Sequence, residues 1–391
     1  MSERRVAKKA SEKLALKKEG EQYFDYNLLI IIIFLMCFGL VMLYSASAYS
    51  AQRIFGNDMH FFMRQAAIGA ASVVVMLVVS RIDYHWYAAV ALELFVVSLL
   101  LLVLVQTPLG VEALGARRWL QLPGGFTLQP SEITKLTIIL YVAYQLCRQG
   151  KRAYTFAGAV RILGIGAIAA AGVLFLTENL STAIIVMLIS VFLYFVVHPK
   201  TKPFILAIGA AGAVAALAVI MVVNSAGSGS GFRAQRIISW LDPEAASGAG
   251  AFQVMQGLYA IGSGGFWGRG LGNSTQKLGV IPEVQNDMIL VIVVEELGVF
   301  GAIVLLVLFG MLLYRLMFIA QNAPDLFGSL IATGIFAHIS IQVILNVAVV
   351  TNMIPTTGIT LPFISFGGTS VLFLMAEMGI ALNISRKIEL K

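Results

Sequence analysis

An aspartate at the edge of a long apolar run, Asp287, is the residue in this 391-residue chain best placed to move a proton. It follows Ile281-Pro282-Glu283-Val284-Gln285-Asn286 and stands directly before an unbroken apolar stretch, which puts a carboxylate where a membrane span meets water. Partial burial raises a carboxyl pKa there while leaving access to solvent, the combination a general base needs. A carboxylate just ahead of a helix is also a good N-cap, and one residue can serve both roles.

Other ionisable groups fall inside apolar segments, where they are expensive to bury and are functional candidates by default. Glu132 and Lys135 are three residues apart and share a helix face, so they can pair. That pair reads equally well as a self-neutralising structural contact or as part of a site. Glu295 and Glu296 lie in Glu295-Glu296-Leu297-Gly298, where one of them could satisfy backbone amides freed by a helix break. Glu93 and Glu377 read as packing-related polar contacts, and His338, Gln342 and Asn346, at helical spacing, as interhelical glue.

These residues need a bilayer around them. Hydrophobic residues make up 59% of the chain and charged residues 12%, which no water-soluble surface accommodates. With roughly 20 apolar residues needed per helical crossing, ten windows emerge: 27–48, 62–80, 84–105, 130–148, 156–176, 180–197, 203–223, 287–317, 325–350 and 363–385. The reading is an all-α integral membrane protein of about ten transmembrane helices. Residues 1–24 form a solvated basic tail, and 25–391 a single polytopic domain with a large extracellular loop, 224–286, between spans seven and eight. With both termini cytoplasmic, seventeen of the Lys and Arg residues fall inside against eight outside, with Lys135 and Arg161 in spans. One missed or extra span would flip every later loop and destroy that asymmetry. The formal charge of +7 is then explained by topology and anionic lipid, and no basic groove with interleaved aromatics suggests nucleic acid. Cys37 and Cys147 lie in different apolar spans, which argues against a disulfide framework or a cysteine-ligated metal. The first apolar segment is a full span, so it reads as a retained helix and not a cleavable signal.

Two outward segments are long, 106–129 and 224–286. The second holds 13 of the 37 glycines, yet its Arg233, Arg236, Trp240, Asp242, Gln253, Gln256 and Trp267 are more than a spacer needs. It reads as an ordered, partly re-entrant loop. The run Gly262-Ser263-Gly264-Gly265-Phe266-Trp267-Gly268-Arg269-Gly270-Leu271-Gly272 is not a dinucleotide fingerprint, because that motif requires a strand before it and a helix after it. Its glycines suit turns and close approach to a ligand or a helix end.

The motifs resemble those of the SEDS family of cell-wall glycosyltransferases, whose members include FtsW, RodA and SpoVE. The resemblance covers nearly the whole chain and rests on Leu43-Tyr-Ser-Ala-Ser47, Gly115-Ala-Arg-Arg-Trp119, Gln129-Pro-Ser-Glu-Ile-Thr-Lys135 and Glu178-Asn-Leu-Ser-Thr-Ala183. It continues in Arg236-Ile-Ile-Ser-Trp-Leu-Asp-Pro243, Gly268-Arg-Gly-Leu-Gly272, Pro282-Glu-Val-Gln-Asn-Asp287, Glu295-Glu-Leu-Gly298 and Leu361-Pro-Phe-Ile-Ser-Phe-Gly-Gly-Thr-Ser370. Each motif alone is weak, whereas their order and spacing together are specific. Asn273-Ser-Thr-Gln-Lys277 and Asn286-Asp287 look more like the division and sporulation branch than the elongation branch. Met288 and Asn179 depart from the family's usual residues at their positions.

The resemblance implies polymerisation of lipid II into glycan strands at the outer face of the bacterial plasma membrane, with a class B penicillin-binding transpeptidase and other division proteins as partners. It implies Asp287 as the essential catalytic residue, Trp119 as an important aromatic of the first outer loop, and Glu132 and Lys135 as a polar pair beside the central cavity. Arg233, Arg236 and Lys135 are cation candidates for the departing pyrophosphate, and Gln256 and Glu283 complete the substrate-binding candidates. A divalent cation, Mg2+ or Mn2+, is expected beside the pyrophosphate, bound partly by substrate because no dense ligand cluster is visible. The rival class is a lipid II flippase. No internal repeat relates the two halves, and the unusual residues gather on the outer side and not at the midplane, where a transporter would hold its substrate.

Overall fold

The structure, a computed structural model, describes residues 23–113, 116–121, 127–224, 232–244, 249–278, 281 and 284–389. The basic residues of the tail up to Lys18 lie outside the described residues, as does Glu283.

Each of the ten expected windows falls on a helix. They are α1 (Tyr26–Phe55), α2 (His60–Val79), the pair α3 (His85–Ala89) and α4 (Ala91–Leu104), α5 (Pro130–Gln149), α6 (Phe156–Leu176), α7 (Leu180–Val197) and α8 (Lys202–Asn224). After two helices inside the long loop, α9 (Phe232–Leu241) and α10 (Ala249–Gly264), come α11 (Ile289–Asn322), α12 (Leu326–Val350) and α13 (Gly368–Ser385). Eight of these helices are long and apolar enough to cross a membrane. The window 84–105 instead divides at Val90, and α5 is long enough but carries Glu132, Lys135 and Arg148. The ends follow local chemistry. Asp25, Thr155, Asn179 and Asp325 accept from backbone N–H groups in the first turns of α1, α6, α7 and α12, and Pro130 opens α5, where its missing N–H costs nothing.

The start of α1 and the end of α13 lie together, since Asp25 N–H donates to Ser385 Oγ at 3.3 Å and Arg315 of α11 pairs with Asp25 at 2.7 Å. The two long loops therefore share the opposite end. One of them adds three short strands to the all-α bundle. Its residues form a small antiparallel sheet of order β1 (Gly110–Ala113), β2 (Ala116–Gln121), β3 (Thr127–Leu128), in which Val111 faces Trp119 and Leu120 faces Leu128.

Besides the division at Val90, two stretches of backbone among the described residues leave the helical path within the bundle. The first is 351–367, which delays the last helix to Gly368 where the sequence suggested 363. Gln342 Nε2 donates to the Thr360 carbonyl at 2.9 Å, and Gln342 lies eight residues, or about 12 Å, inside the end of α12. The segment is therefore re-entrant. Asn346 Nδ2 and Ser181 Oγ donate to the carbonyls of Ile359 (2.7 Å) and Thr357 (2.7 Å), so its peptides are paired by side chains in place of water.

The second interruption is in α11, where Gly298 (φ +73°, ψ −175°) breaks the helix. The glycine run of the long loop repairs the ladder. Arg269 and Gly270 N–H donate to the freed carbonyls of Glu295 and Glu296 (3.0 and 2.9 Å), and Val299 and Phe300 N–H donate to Gly265 and Phe266 carbonyls (3.0 and 3.1 Å). The approach leaves no room for side chains. A Cβ on Gly298 would lie 2.2 Å from the Phe266 carbonyl oxygen, and one on Gly268 2.2 Å from that of Glu296. Gly298→Ala is therefore expected to cost about 3 kcal/mol or more in denaturant unfolding of the detergent-solubilised protein. Gly310→Ala on the same helix, where a Cβ meets nothing within 4 Å, should be neutral or slightly stabilising.

Candidate functional site

Asp287 stands half-buried two residues before α11, at the end of the bundle that carries the long loops. The N-cap position of α11 belongs to Met288, which offers no side-chain cap. Its backbone is fixed by Asn346, whose Nδ2 donates to the Asp287 carbonyl at 2.9 Å while also holding Ile359. The re-entrant segment passes close to its carboxylate, for a Cβ built on Gly358 (φ +71°) would lie 3.8 Å from Asp287 Oδ2.

Two arginines converge on the same place. Arg236 of α9 donates to the Thr356 carbonyl at 3.1 Å, two residues from Gly358, and Trp240 one turn later donates to the Asn352 carbonyl at 3.0 Å, so α9 lies across 352–356. Burial pushes the Arg236 pKa down, and the charge of Asp287 pushes it back up. Arg118 of β2 reaches over α7, donating to the carbonyls of Thr177 and Glu178, each at 3.3 Å. Burial lowers its pKa first, repulsion by Arg236 lowers it further, and Glu178 opposes both. Glu178 itself is held at φ +50°, a strained setting for a side chain with a Cβ. A carboxylate and the Arg236 guanidinium thus face the segment 356–358, with the half-buried Arg118 guanidinium close enough to Arg236 to repel it.

The sequence candidates distribute around this centre. Glu132 and Lys135 are both buried on α5 and pair at 3.0 Å. Lys135 Nζ also donates to Gln342 Oε1 at 3.3 Å, and that oxygen lies 2.9 Å from His338 Nε2, whose Nδ1 lies 2.9 Å from Glu377. A polar row therefore joins α5, α12 and α13 one helical turn inward of Asn346. Glu377 is the packing contact expected of it, whereas Glu93 is exposed in the first turn of α4 and contributes no such contact. Trp119 is half-buried, and strand alternation sends it to the opposite face of β2 from Arg118. Gln256 is half-buried on α10 beside Gly257, which packs against Met288 and Val291. Arg233 lies one turn before Arg236 on α9.

Sequence reasoning passed over Arg118 and the positioning amides. Arg118 was visible within Gly115-Ala-Arg-Arg-Trp119, but only as an outer-loop charge. Gln342 and Asn346 were visible as polar positions on an apolar helix, and their partners turn out to be carbonyls of an irregular segment and not only other helices. Among the described residues no group of three or more His, Cys, Asp or Glu side chains converges to hold a metal ion.

Ten helical windows, a re-entrant segment and a boundary carboxylate flanked by arginines define a multi-pass membrane protein with its candidate chemistry at one end. The chain matches the family described as cell cycle protein (FtsW, RodA, SpoVE) over residues 26–390. It is 39% identical to stage V sporulation protein E of Bacillus subtilis over 365 residues, covering 93% of this chain and 97% of that protein. It is 37% identical to the probable peptidoglycan glycosyltransferase FtsW of Trichlorobacter lovleyi, covering 94% of each. Among solved structures, a chain from "Structural coordination of polymerization and crosslinking by a peptidoglycan synthase complex" superposes with a TM-score of 0.77 at 24% identity, over 94% of this chain and 99% of that one. The rod shape determining protein RodA of Thermus thermophilus gives 0.65 at 24% identity, over 94% and 98%, and both likenesses speak to the fold. The protein belongs to the FtsW/RodA/SpoVE family of multi-pass bacterial membrane proteins.

The buried pair at α5 yields a stability test. Lys135→Met leaves Glu132 charged and unpaired inside the bundle, which should cost about 3–5 kcal/mol in denaturant unfolding. The double variant Lys135→Met/Glu132→Leu removes both charges and should recover most of that loss, whereas a double variant no more stable than the single would contradict the pairing.

Proposed function

We propose that the protein is a peptidoglycan glycosyltransferase that polymerises lipid II, with Asp287 as the general base, acting at the outer face of the plasma membrane. The observation that carries this reading is the grouping of Asp287 with Arg118, Arg236 and the re-entrant segment at the long-loop end of a bundle otherwise built for lipid. The names carried by its relatives point the same way.

A hydroxyl of the acceptor sugar attacks the anomeric carbon of the donor. The new bond forms between that oxygen and the anomeric carbon, the bond to the pyrophosphate oxygen breaks, and the hydroxyl proton passes to Asp287. Single displacement inverts the anomeric centre. A base at such a boundary keeps contact with water, through which the proton leaves. The departing polyprenyl pyrophosphate is an anion, and an anion set between Arg118 and Arg236 would relieve their mutual repulsion and accept forked hydrogen bonds from each. Arg233, one turn away, is a further cation for the same group. Lys135 is an unlike case, because its charge is already answered by Glu132 and its ammonium engaged by Gln342, so its part is to hold the floor of the site.

A divalent cation would take most of its ligands from the pyrophosphate, since the described residues offer no cluster for it. The cation would neutralise charge on the leaving group, and the protein's own steps stand without routing through it. Trp119, Gln256 and Glu283 remain candidates for gripping the sugars. The partner we propose is a transpeptidase of the class B penicillin-binding type, with a role in cell division in keeping with the FtsW and sporulation relatives.

The observation that favours the rival, a lipid II transporter, is the polar row from Glu132 to Glu377 inside the bundle. Purified protein incubated with purified lipid II separates the two. Asp287→Asn should lower glycan synthesis by a factor of about 10³ or more, within the range a lost general base produces, with an unfolding midpoint close to wild type. Arg118→Met should raise KM and lower kcat together, while Arg118→Lys keeps the charge but loses the fork and recovers only part. Glycan made equally well by Asp287→Asn, or lipid II moved across vesicles by a protein that makes none, would overturn the polymerase reading.

A further inference from the structure

Glu295 and Glu296 are fully buried carboxylates at the break in α11, and the proposed reaction uses neither. We propose that Lys277, acting through Glu296, and Arg269, acting through Glu295, are positioning residues that set the place of Asp287 from the far end of a rigid helical stub. This deepens the polymerase reading and rests on it.

The stub is residues 289–297, the part of α11 that precedes Gly298, about 13 Å long. From Ile289 to Glu296 every residue is buried, whereas Val299 and Phe300 just past the break are exposed. A short helix packed on all faces transmits a displacement at one end to the other because it has no free space in which to bend. Asp287 is attached to its first residue through Met288, whose side chain lies against Gly257 of α10.

Its last turn holds two adjacent carboxylates. Negative charge is unfavourable at a helix C-terminus, where the free carbonyls already carry the negative end of the dipole. The long loop supplies what this arrangement needs. Lys277 Nζ lies 2.7 Å from Glu296 and 3.0 Å from Ser45 Oγ of α1, and Ser45 Oγ in turn donates to Glu296 at 2.7 Å. Arg269 lies 3.4 Å from Glu295, which also accepts from Thr275 N–H at 3.0 Å, Thr275 Oγ1 at 3.1 Å and Ser274 Oγ. The stub is thereby pinned to α1 and to the loop at one end and, through Asn346, to α12 and the re-entrant segment at the other. Lys277 closes the only part of this joint that bridges α1, the loop and α11 by one ammonium among the described residues.

The test compares full-length wild type, Lys277→Met, Lys277→Arg and Lys277→Met/Glu296→Gln in lipid nanodiscs by amide hydrogen exchange and by lipid II polymerisation. In Lys277→Met, exchange of 284–297 should rise about tenfold or more while 299–322 stays as in wild type. kcat should fall about tenfold or more, the scale on which a misplaced catalytic group is felt, with KM for lipid II within about threefold. Lys277→Arg should restore both. If Lys277→Met does not fold, the double variant, which leaves no unpaired buried charge, should fold and still show the faster exchange. Wild-type exchange at 284–297, an equal rise across 299–322, or an unaltered kcat alongside raised exchange would each overturn the proposal. A wild type that makes no glycan from lipid II would defeat the polymerase reading, while the exchange comparison would still decide whether this joint holds Asp287.

Discussion

Backbone that leaves the helical path inside a bilayer has no water to pair with, so every freed N–H and C=O must be answered by the protein itself. Among the described residues the path is left at 351–367 and at Gly298, and each of these breaks is answered differently. Side-chain amides and a hydroxyl from Gln342, Asn346 and Ser181 hold the carbonyls of the first. Backbone of the glycine run holds both sides of the second. The two repairs meet at Asp287, because Asn346 binds the Asp287 carbonyl and the re-entrant segment at once, and the repaired helix begins two residues later.

Charge follows the same economy. Within the bundle, Lys135 is set against Glu132, Lys277 against Glu296, Arg269 against Glu295, and His338 against Glu377. Each pairing gives a partner to a buried carboxylate that could not be left alone in such surroundings. At the mouth the balance is looser, for half-buried Arg118 and Arg236 repel each other while Glu178 and Asp287 act on them in the opposite sense. Tension of that kind is tolerable where a ligand resolves it, which is the role proposed for the anionic leaving group.

Much of this was legible in the sequence. The spans were, because twenty apolar residues have few other uses, and the helices fall on the windows within a few residues except where special chemistry intervenes. The glycine run was linked to close approach at a helix end, whereas the glutamates expected to take up amides freed by the break instead accept from Ser274, Thr275 and Lys277, and the freed amides of Val299 and Phe300 go to the carbonyls of Gly265 and Phe266. What escaped was the consequence of irregular backbone. Phe363-Ile-Ser-Phe366 read as the start of an apolar helix, yet residues 362–364 form a turn with Phe363 at φ +63°, in which Ile364 and Ser365 N–H donate to the Leu361 carbonyl while Phe363 and Ile364 are buried. The small sheet of 110–128 was hidden because a short loop sheet leaves only a faint period-2 trace. Arg118 could not be joined to Arg236 by any sequence rule, since 117 positions and the whole of α5 to α8 lie between them.

The central claim is that Asp287 faces the outside of the cell from within reach of water. Intact cells carrying Asp287→Cys, with Cys37 and Cys147 replaced by serine, can be treated with a membrane-impermeant maleimide before or after permeabilisation. The account predicts modification in intact cells at a rate little changed by permeabilisation. Modification only after the cytoplasm is opened, or none under either condition, would contradict it.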